Sequence, residues 1–154
     1  MRILVISDSH RHIANLIEAI SNEPTAEIVY FLGDGTYEMD EVKEIFMDKK
    51  MFIIVRGNCD FIDTVPLCDI RSVSDAKIYA SHGATENVKL SFVGIKKAAR
   101  ENNCNIALFG HTHQKYYGYE DGLHLFNPGS IKEGVYGVID ITNNGIMCFH
   151  KNIY

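Results

Sequence analysis

Residues 1–10 read MRILVISDSH, and this stretch decides how the rest of the chain is read. Ile3, Leu4, Val5 and Ile6 form a short apolar run, which reads as a buried strand. Asp8, Ser9 and His10 follow it at once. A buried strand ending in a carboxylate and an imidazole presents both where ligand sites gather, beyond the carboxyl ends of strands in an α/β sheet.

Outward from that strand, Ile13, Leu16, Ile17 and Ile20 recur at helical spacing, and Asn22-Glu23-Pro24 ends the helix. Ile28 to Leu32 reads as a second strand. Met39, Val42, Ile45 and Phe46 mark a second amphipathic helix, and Phe52 to Val55 a third strand. Strands alternating with helices at this spacing imply βαβ units and a parallel sheet. Ile70–Val73 and Ile78–Ala80 read as short strands, and Ile106–Phe109 as a buried one. Between them, Val88, Phe92, Ile95 and Ala99 predict a helix over Asn87–Asn102. Beyond Gly110 the pattern is all β: Leu123–Phe126, Val135–Ile141 and Ile146–Phe149, with Asn143-Asn144-Gly145 as a hairpin turn. The expected fold class is α/β: two packed mixed β-sheets flanked by helices, in a single domain over residues 1–154.

Composition narrows the function classes. At 154 residues, 46% hydrophobic and 23% charged, the chain is long enough to bury a core. Its net charge of -5 argues against a broad nucleic-acid surface or an anionic membrane as partner. Four cysteines occur without a CxxC pair, so neither a thiolate zinc site nor a disulfide framework is expected. The first apolar run is too short for a signal-peptide core, and none is long enough to span a bilayer. A cytoplasmic protein with reduced thiols is the expectation.

Polar motifs stand wherever a predicted strand ends: Asp8-Ser9-His10, Gly33-Asp34-Gly35, Gly57-Asn58-Cys59-Asp60, Ser81-His82-Gly83 and Gly110-His111-Thr112-His113. Taken singly, each has a plain reading. Asp8 can cap a helix, Asp34 and Asp60 can shape turns, and Asn58 can hold a left-handed backbone. Taken together, five strand ends would bring carboxylate, imidazole and amide groups to one cleft. Asp8, His10, Asp34, Asn58, His82, His111 and His113 make a donor set suited to Mn, Fe or Zn. The set is too large for one ion, but serves two if one carboxylate bridges them, and Asp34 is the expected bridge. Two carboxylates only partly neutralise two divalent ions, so the centre would attract phosphate and acidify bound water.

The ordered motifs D-x-H, G-D, G-N-x-D, H-G and G-H-T-H resemble the calcineurin-like metallophosphoesterase superfamily. The small size and Asn127-Pro128-Gly129-Ser130 resemble its compact bacterial and archaeal phosphodiesterase branch. That resemblance implies that Asp8, His10 and His113 hold one metal and that Asn58, His82 and His111 hold the other. Asp34 bridges them, and a hydroxide between the ions attacks phosphorus. It implies manganese as the favoured ion, with iron, nickel or zinc as alternatives. Asn58 and Asp34 then count as catalytic through the metals, and the substrate is a small phosphoester.

Many members of the superfamily carry a His directly after the motif Asn, as general acid; here Cys59 stands there. A thiol donates weakly, and losing general-acid help costs about 10²–10⁴-fold. Phosphodiesters and esters with good leaving groups are therefore the expected substrates, with no general acid identified. The alternatives are a phosphomonoesterase or nucleotidase of this fold, or a catalytically weak protein-interaction platform. Arg11 and Arg56 are candidate phosphate contacts. Tyr116, Tyr117 and Tyr119 are expected to pack on a sheet, and a homo-oligomer is compatible with everything above.

Overall fold

The computed structural model describes residues 1–154. Strand β1 (Arg2–Ile6) lies between β2 (Ile28–Phe31), which it meets in parallel, and β9 (Val135–Thr142), which it meets antiparallel. With β3 (Met51–Ile54) and β10 (Gly145–Asn152) they form a five-stranded sheet ordered β10-β9-β1-β2-β3. The second sheet is ordered β4-β5-β6-β8-β7, from β4 (Cys68–Val73), β5 (Ala76–Ser81), β6 (Ile106–Leu108), β7 (Tyr116–Glu120) and β8 (Leu123–Asn127). Each sheet has three adjacent parallel strands: β1-β2-β3 in the first, with β9 and β10 added antiparallel on the β1 side, and β5-β6-β8 in the second, with antiparallel β4 and β7 at its two edges. The two mixed sheets are those expected.

Period-2 alternation along β1 explains why two sheets stack here. Ile3 and Val5 face the second sheet, in a cluster with Ile78, Ala80, Ile106, Leu108 and Phe126. Leu4 and Ile6 face the other way, onto α1 (Ile13–Asn22) and α2 (Thr36–Phe46), where Leu16, Ala19, Ile20, Met39 and Val42 are buried. The second sheet has its own helix, α3 (Val93–Glu101), whose Ile95 and Ala99 pack against Tyr79, Ala107 and Leu125. The result is four layers, helix–sheet–sheet–helix. Every strand of the two parallel cores points its carboxyl end toward the same rim.

Two expectations need correction. The helix predicted over Asn87–Asn102 begins only at Val93, with Phe92 as its N-cap. Asn87 has φ 54, which a helix cannot contain, so residues 84–90 run as turns. Val88 is still buried, from a turn rather than from a helix face. The second concerns residues 116–120, which form the edge strand β7. Its tyrosines do lie on a sheet, but Tyr116, Tyr117 and Tyr119 remain exposed, so no apolar alternation marked the strand.

Candidate metal centre

The structure brings all seven expected residues to the carboxyl rim, at the ends of β1, β2, β3, β5 and β6. They fall into two groups that touch. In the first, Asp8, His10 and His113 offer atoms within 4.8 Å of one another. His113 Nε2 lies 3.2 Å from Asp8 Oδ1 and 3.1 Å from His10 Nε2. In the second, Asp34, His82 and His111 do the same. Asn58 Oδ1 joins them 3.0 Å from His82 Nε2, and His111 Nδ1 is 3.1 Å from that same nitrogen. Asp34 Oδ2 faces both groups, 3.8 Å from His10 Nε2 and 3.4 Å from His82 Nε2.

The local backbone is bent to achieve this. Asp8, His10, Asp34, His111 and His113 all have φ between 40 and 66, the left-handed region that non-glycine residues avoid. Each such residue costs about 1–3 kcal/mol, and residues of this kind cluster at functional sites. Glycines provide the clearance. A Cβ on Gly57 would overlap Asp34 Oδ1, and one on Gly110 would overlap Ser7 Oγ and approach Asp8 Oδ2. No larger residue lets the loops close on the two carboxylates.

Surrounding groups hold the donors in place. Ser7 Oγ donates to Asp8 Oδ2 at 2.6 Å, and the His111 amide donates to the same oxygen at 3.1 Å. The Cys59 amide donates to Asp34 Oδ1 at 2.8 Å. His82 Nδ1 lies 2.7 Å from the Leu32 carbonyl, which assigns its proton to Nδ1 and leaves a lone pair on Nε2. Asp60 accepts four backbone N–H groups: Asp34 and Gly57 at 2.7 Å, Gly35 at 2.9 Å and Thr36 at 3.0 Å. Asp60 thereby clamps two loops and supplies the anion at the start of α2 that Gly35, the N-cap, cannot.

The donor chemistry fits cations. Asp8 Oδ1 is buried and has no hydrogen-bond partner. His82 Nε2 directs a lone pair at two acceptor oxygens, which a neutral ring cannot satisfy. Burial opposes charge on His82, but the carboxylates of Asp34 and Asp8 override it and hold its pKa above the ordinary value. Asp34 responds in kind. Burial resists its ionisation, yet His82 and the Cys59 amide more than offset that, and its carboxyl sits well below the usual range. His111 is pushed the other way, by burial and then by the nearby His82 charge. Burial, followed by the charge of Asp34, raises the Cys59 thiol above its ordinary value. Converging lone pairs around two carboxylates are what a divalent ion organises.

Arg11 lines the cleft beside His10. Arg56 does not face it: its guanidinium donates to Asp63 Oδ1 at 2.9 Å and to the Ile62 carbonyl, so it braces the loop after Asp60. Sequence reasoning also left the Asn127–Ser130 segment without a physical role. Asn127 Nδ2 donates to the Gly110 carbonyl at 2.9 Å and Thr112 Oγ1 at 3.0 Å, while Ser130 Oγ donates to the Asp8 carbonyl at 2.9 Å. This segment straps two of the site loops together through their main chain. His150 serves the strap from behind, stacked on Phe126 and 2.8 Å from the Asn127 carbonyl.

Known proteins share this sequence pattern and fold. The calcineurin-like phosphoesterase superfamily domain matches residues 1–144. A probable metallophosphoesterase of Bacillus subtilis is 27% identical over 132 residues, 86% of this chain and 76% of that protein. A phosphodiesterase of Methanocaldococcus jannaschii is 26% identical over 170 residues, covering 100% of this chain and 96% of that protein. Among solved structures, a predicted phosphoesterase of Streptococcus pneumoniae superposes with a TM-score of 0.78 at 23% identity, covering 97% of each chain. Vacuolar Protein Sorting 29 of Cryptosporidium parvum shares the fold, with a TM-score of 0.71 at 16% identity over 97% of this chain and 96% of that one. With its ordered motifs on the rim of two stacked mixed sheets, the chain belongs to the calcineurin-like phosphoesterase superfamily.

Proposed function

We propose that this protein is a divalent-metal-dependent phosphodiesterase acting on small phosphoesters. In this reading Asp8, His10 and His113 hold one ion, and Asn58, His82 and His111 hold the second. Asp34 bridges. The observation that carries it is the single oxygen Asp34 Oδ2, set 3.8 Å from a nitrogen of one group and 3.4 Å from a nitrogen of the other. Both sheets contribute donors, which supports one functional unit over residues 1–154. Mixed carboxylate, imidazole and amide donors suit manganese, iron, nickel or zinc, and the family resemblance favours manganese among them. Such a pair supplies Lewis-acid charge for the phosphoryl oxygens and an acidified water.

The chain's own residues then orient and select. Arg11 lines the cleft beside His10 and would meet a phosphoryl oxygen with its planar fork. Asp60 and the Asn127–Ser130 strap keep the donor loops from spreading. Cys59 stays a neutral thiol, since burial and Asp34 both raise its pKa, and it is a poor proton donor. That favours diesters and good leaving groups over monoesters. The net charge of -5 favours small substrates over nucleic acid.

A metal-by-substrate screen tests this. Metal-stripped protein should be inactive, and Mn²⁺ should restore hydrolysis of bis(p-nitrophenyl) phosphate well above that of p-nitrophenyl phosphate. Absence of hydrolysis with Mn²⁺, Fe²⁺, Ni²⁺ and Zn²⁺ alike would instead favour an interaction platform built on this scaffold.

A further inference from the structure

The cleft beside the metal centre has a wall that the metal chemistry does not use. Of about 470 Å³, it lies within the size range of small-molecule sites and runs from His10 and Asp34 outward to Tyr37 and Phe61. Tyr37 is 71% exposed and Phe61 is 94% exposed, so neither ring serves the core. They come from distant segments, yet one group fixes both. Asp60 directly precedes Phe61, and its Oδ1 accepts the N–H of Thr36, which directly precedes Tyr37. The same carboxylate accepts the N–H of Asp34, the expected bridge. Two water-exposed aromatic rings are thus tethered, one residue beyond a shared clamp, at the mouth of the site.

The ionic lining says what kind of group fits between them. Beyond the metal centre, Glu38 and Asp60 line the cleft against Arg11 as its one basic side chain. A second phosphate or carboxylate would meet net negative charge there. A neutral, flat, apolar ring would not, and would cover the two exposed faces.

Building on the metal-centre reading, we propose that Tyr37 and Phe61 form a subsite for a planar aromatic ring on one ester arm of the substrate. The ring is a phenolic group or the base of a nucleoside. Its stacking carries the specificity, while the metal centre holds the phosphoryl group.

The test uses Mn²⁺-loaded protein and isothermal calorimetry with methylphosphonate and phenylphosphonate, which carry the same charged head. Wild type should bind phenylphosphonate about tenfold more tightly, the scale of one aromatic stack. In the Tyr37→Ala/Phe61→Ala double variant the ratio should fall toward one, with manganese content, read by elemental analysis, as in wild type. A ratio near one in wild type, or one that survives in the double variant, overturns the subsite. Failure of both phosphonates to bind would instead overturn the metal-centre reading. A nucleoside 5′-phosphonate that binds more tightly than phenylphosphonate assigns the ring to a nucleobase, and the reverse order assigns it to a phenol.

Discussion

Two buried polar clusters can be compared, one around Glu23 and one around Asp34. Glu23 is 1% exposed and ends α1. It accepts the Tyr136 hydroxyl at 3.2 Å, and Arg2 and Lys151 bring cations to its carboxylate. Nearby, Lys50 donates to the carbonyls of Glu23 at 2.8 Å and Ala26 at 2.7 Å, and Arg2 forks onto Asp140. Here each charge finds its opposite, or a carbonyl, within the chain. The Asp34 cluster is built differently. Carboxylate, amide and imidazole acceptors face one another, and Asp8 Oδ1 is buried without a partner. Both clusters are similarly buried, so burial does not separate them. What separates them is closure: one is complete from its own residues, and the other leaves acceptors that none of its own residues pairs.

The largest effect expected from this contrast is at Asp34. Asp34→Asn should lower Mn²⁺-dependent diester hydrolysis on the order of 10³-fold, a loss of several kcal/mol of charge stabilisation. The same change should abolish the rise in thermal midpoint that Mn²⁺ gives wild type. Retention of two ions per chain, by elemental analysis, would show that Asp34 is no bridge. Next comes Glu23→Ala, which leaves Lys151 and the Tyr136 hydroxyl without their acceptor while Arg2 keeps Asp140, and should cost about 1–3 kcal/mol in urea unfolding. That cost should be equal with and without Mn²⁺; a metal-dependent cost would couple the clusters and break the comparison. The smallest effect is at Asp140, whose carboxyl pKa is lowered by its hydrogen bonds from Arg2. Its contribution is present above the ordinary value of 3.8 and is lost as pH falls through the folded value. Asp140→Asn should cost about 1 kcal/mol at neutral pH, a modest sum because the pair is partly solvated. The two unfolding midpoints should converge below pH 3.8, and a gap that persists there would assign the effect to packing.

The sequence made the candidate metal centre legible because every candidate donor sits at a strand end, where pattern and chemistry change together. The same logic made the sheets legible, since Ile3 to Ile6 and Ile28 to Leu32 bury both faces and leave unbroken apolar runs. It failed where side chains stay in water. The edge strand Tyr116–Glu120 has four exposed residues of five and so no period to read. It also failed where the backbone overrode an apolar stripe, as Asn87 does ahead of α3. Arg56 looked like a phosphate contact from its place beside Gly57, but a salt bridge to Asp63 settles its direction. Tyr37 and Phe61 could not be paired from sequence, because only the Asp60 clamp makes them neighbours of one cleft. Nor could the Asn127–Ser130 strap be derived from chemistry, since much of its work is done on carbonyl groups.

The proposed ligands divide between the sheets: Asp8, His10, Asp34 and Asn58 extend from the first, and His82, His111 and His113 from the second. His10 and His113 meet across 103 residues of chain. Contacts so remote in sequence form late in folding, after the loop entropy between them has been overcome. Neither half-site can exist in a chain whose sheets have not yet docked. An ion held there would therefore discriminate by age: a nascent or half-assembled chain would release it, and a finished molecule would keep it.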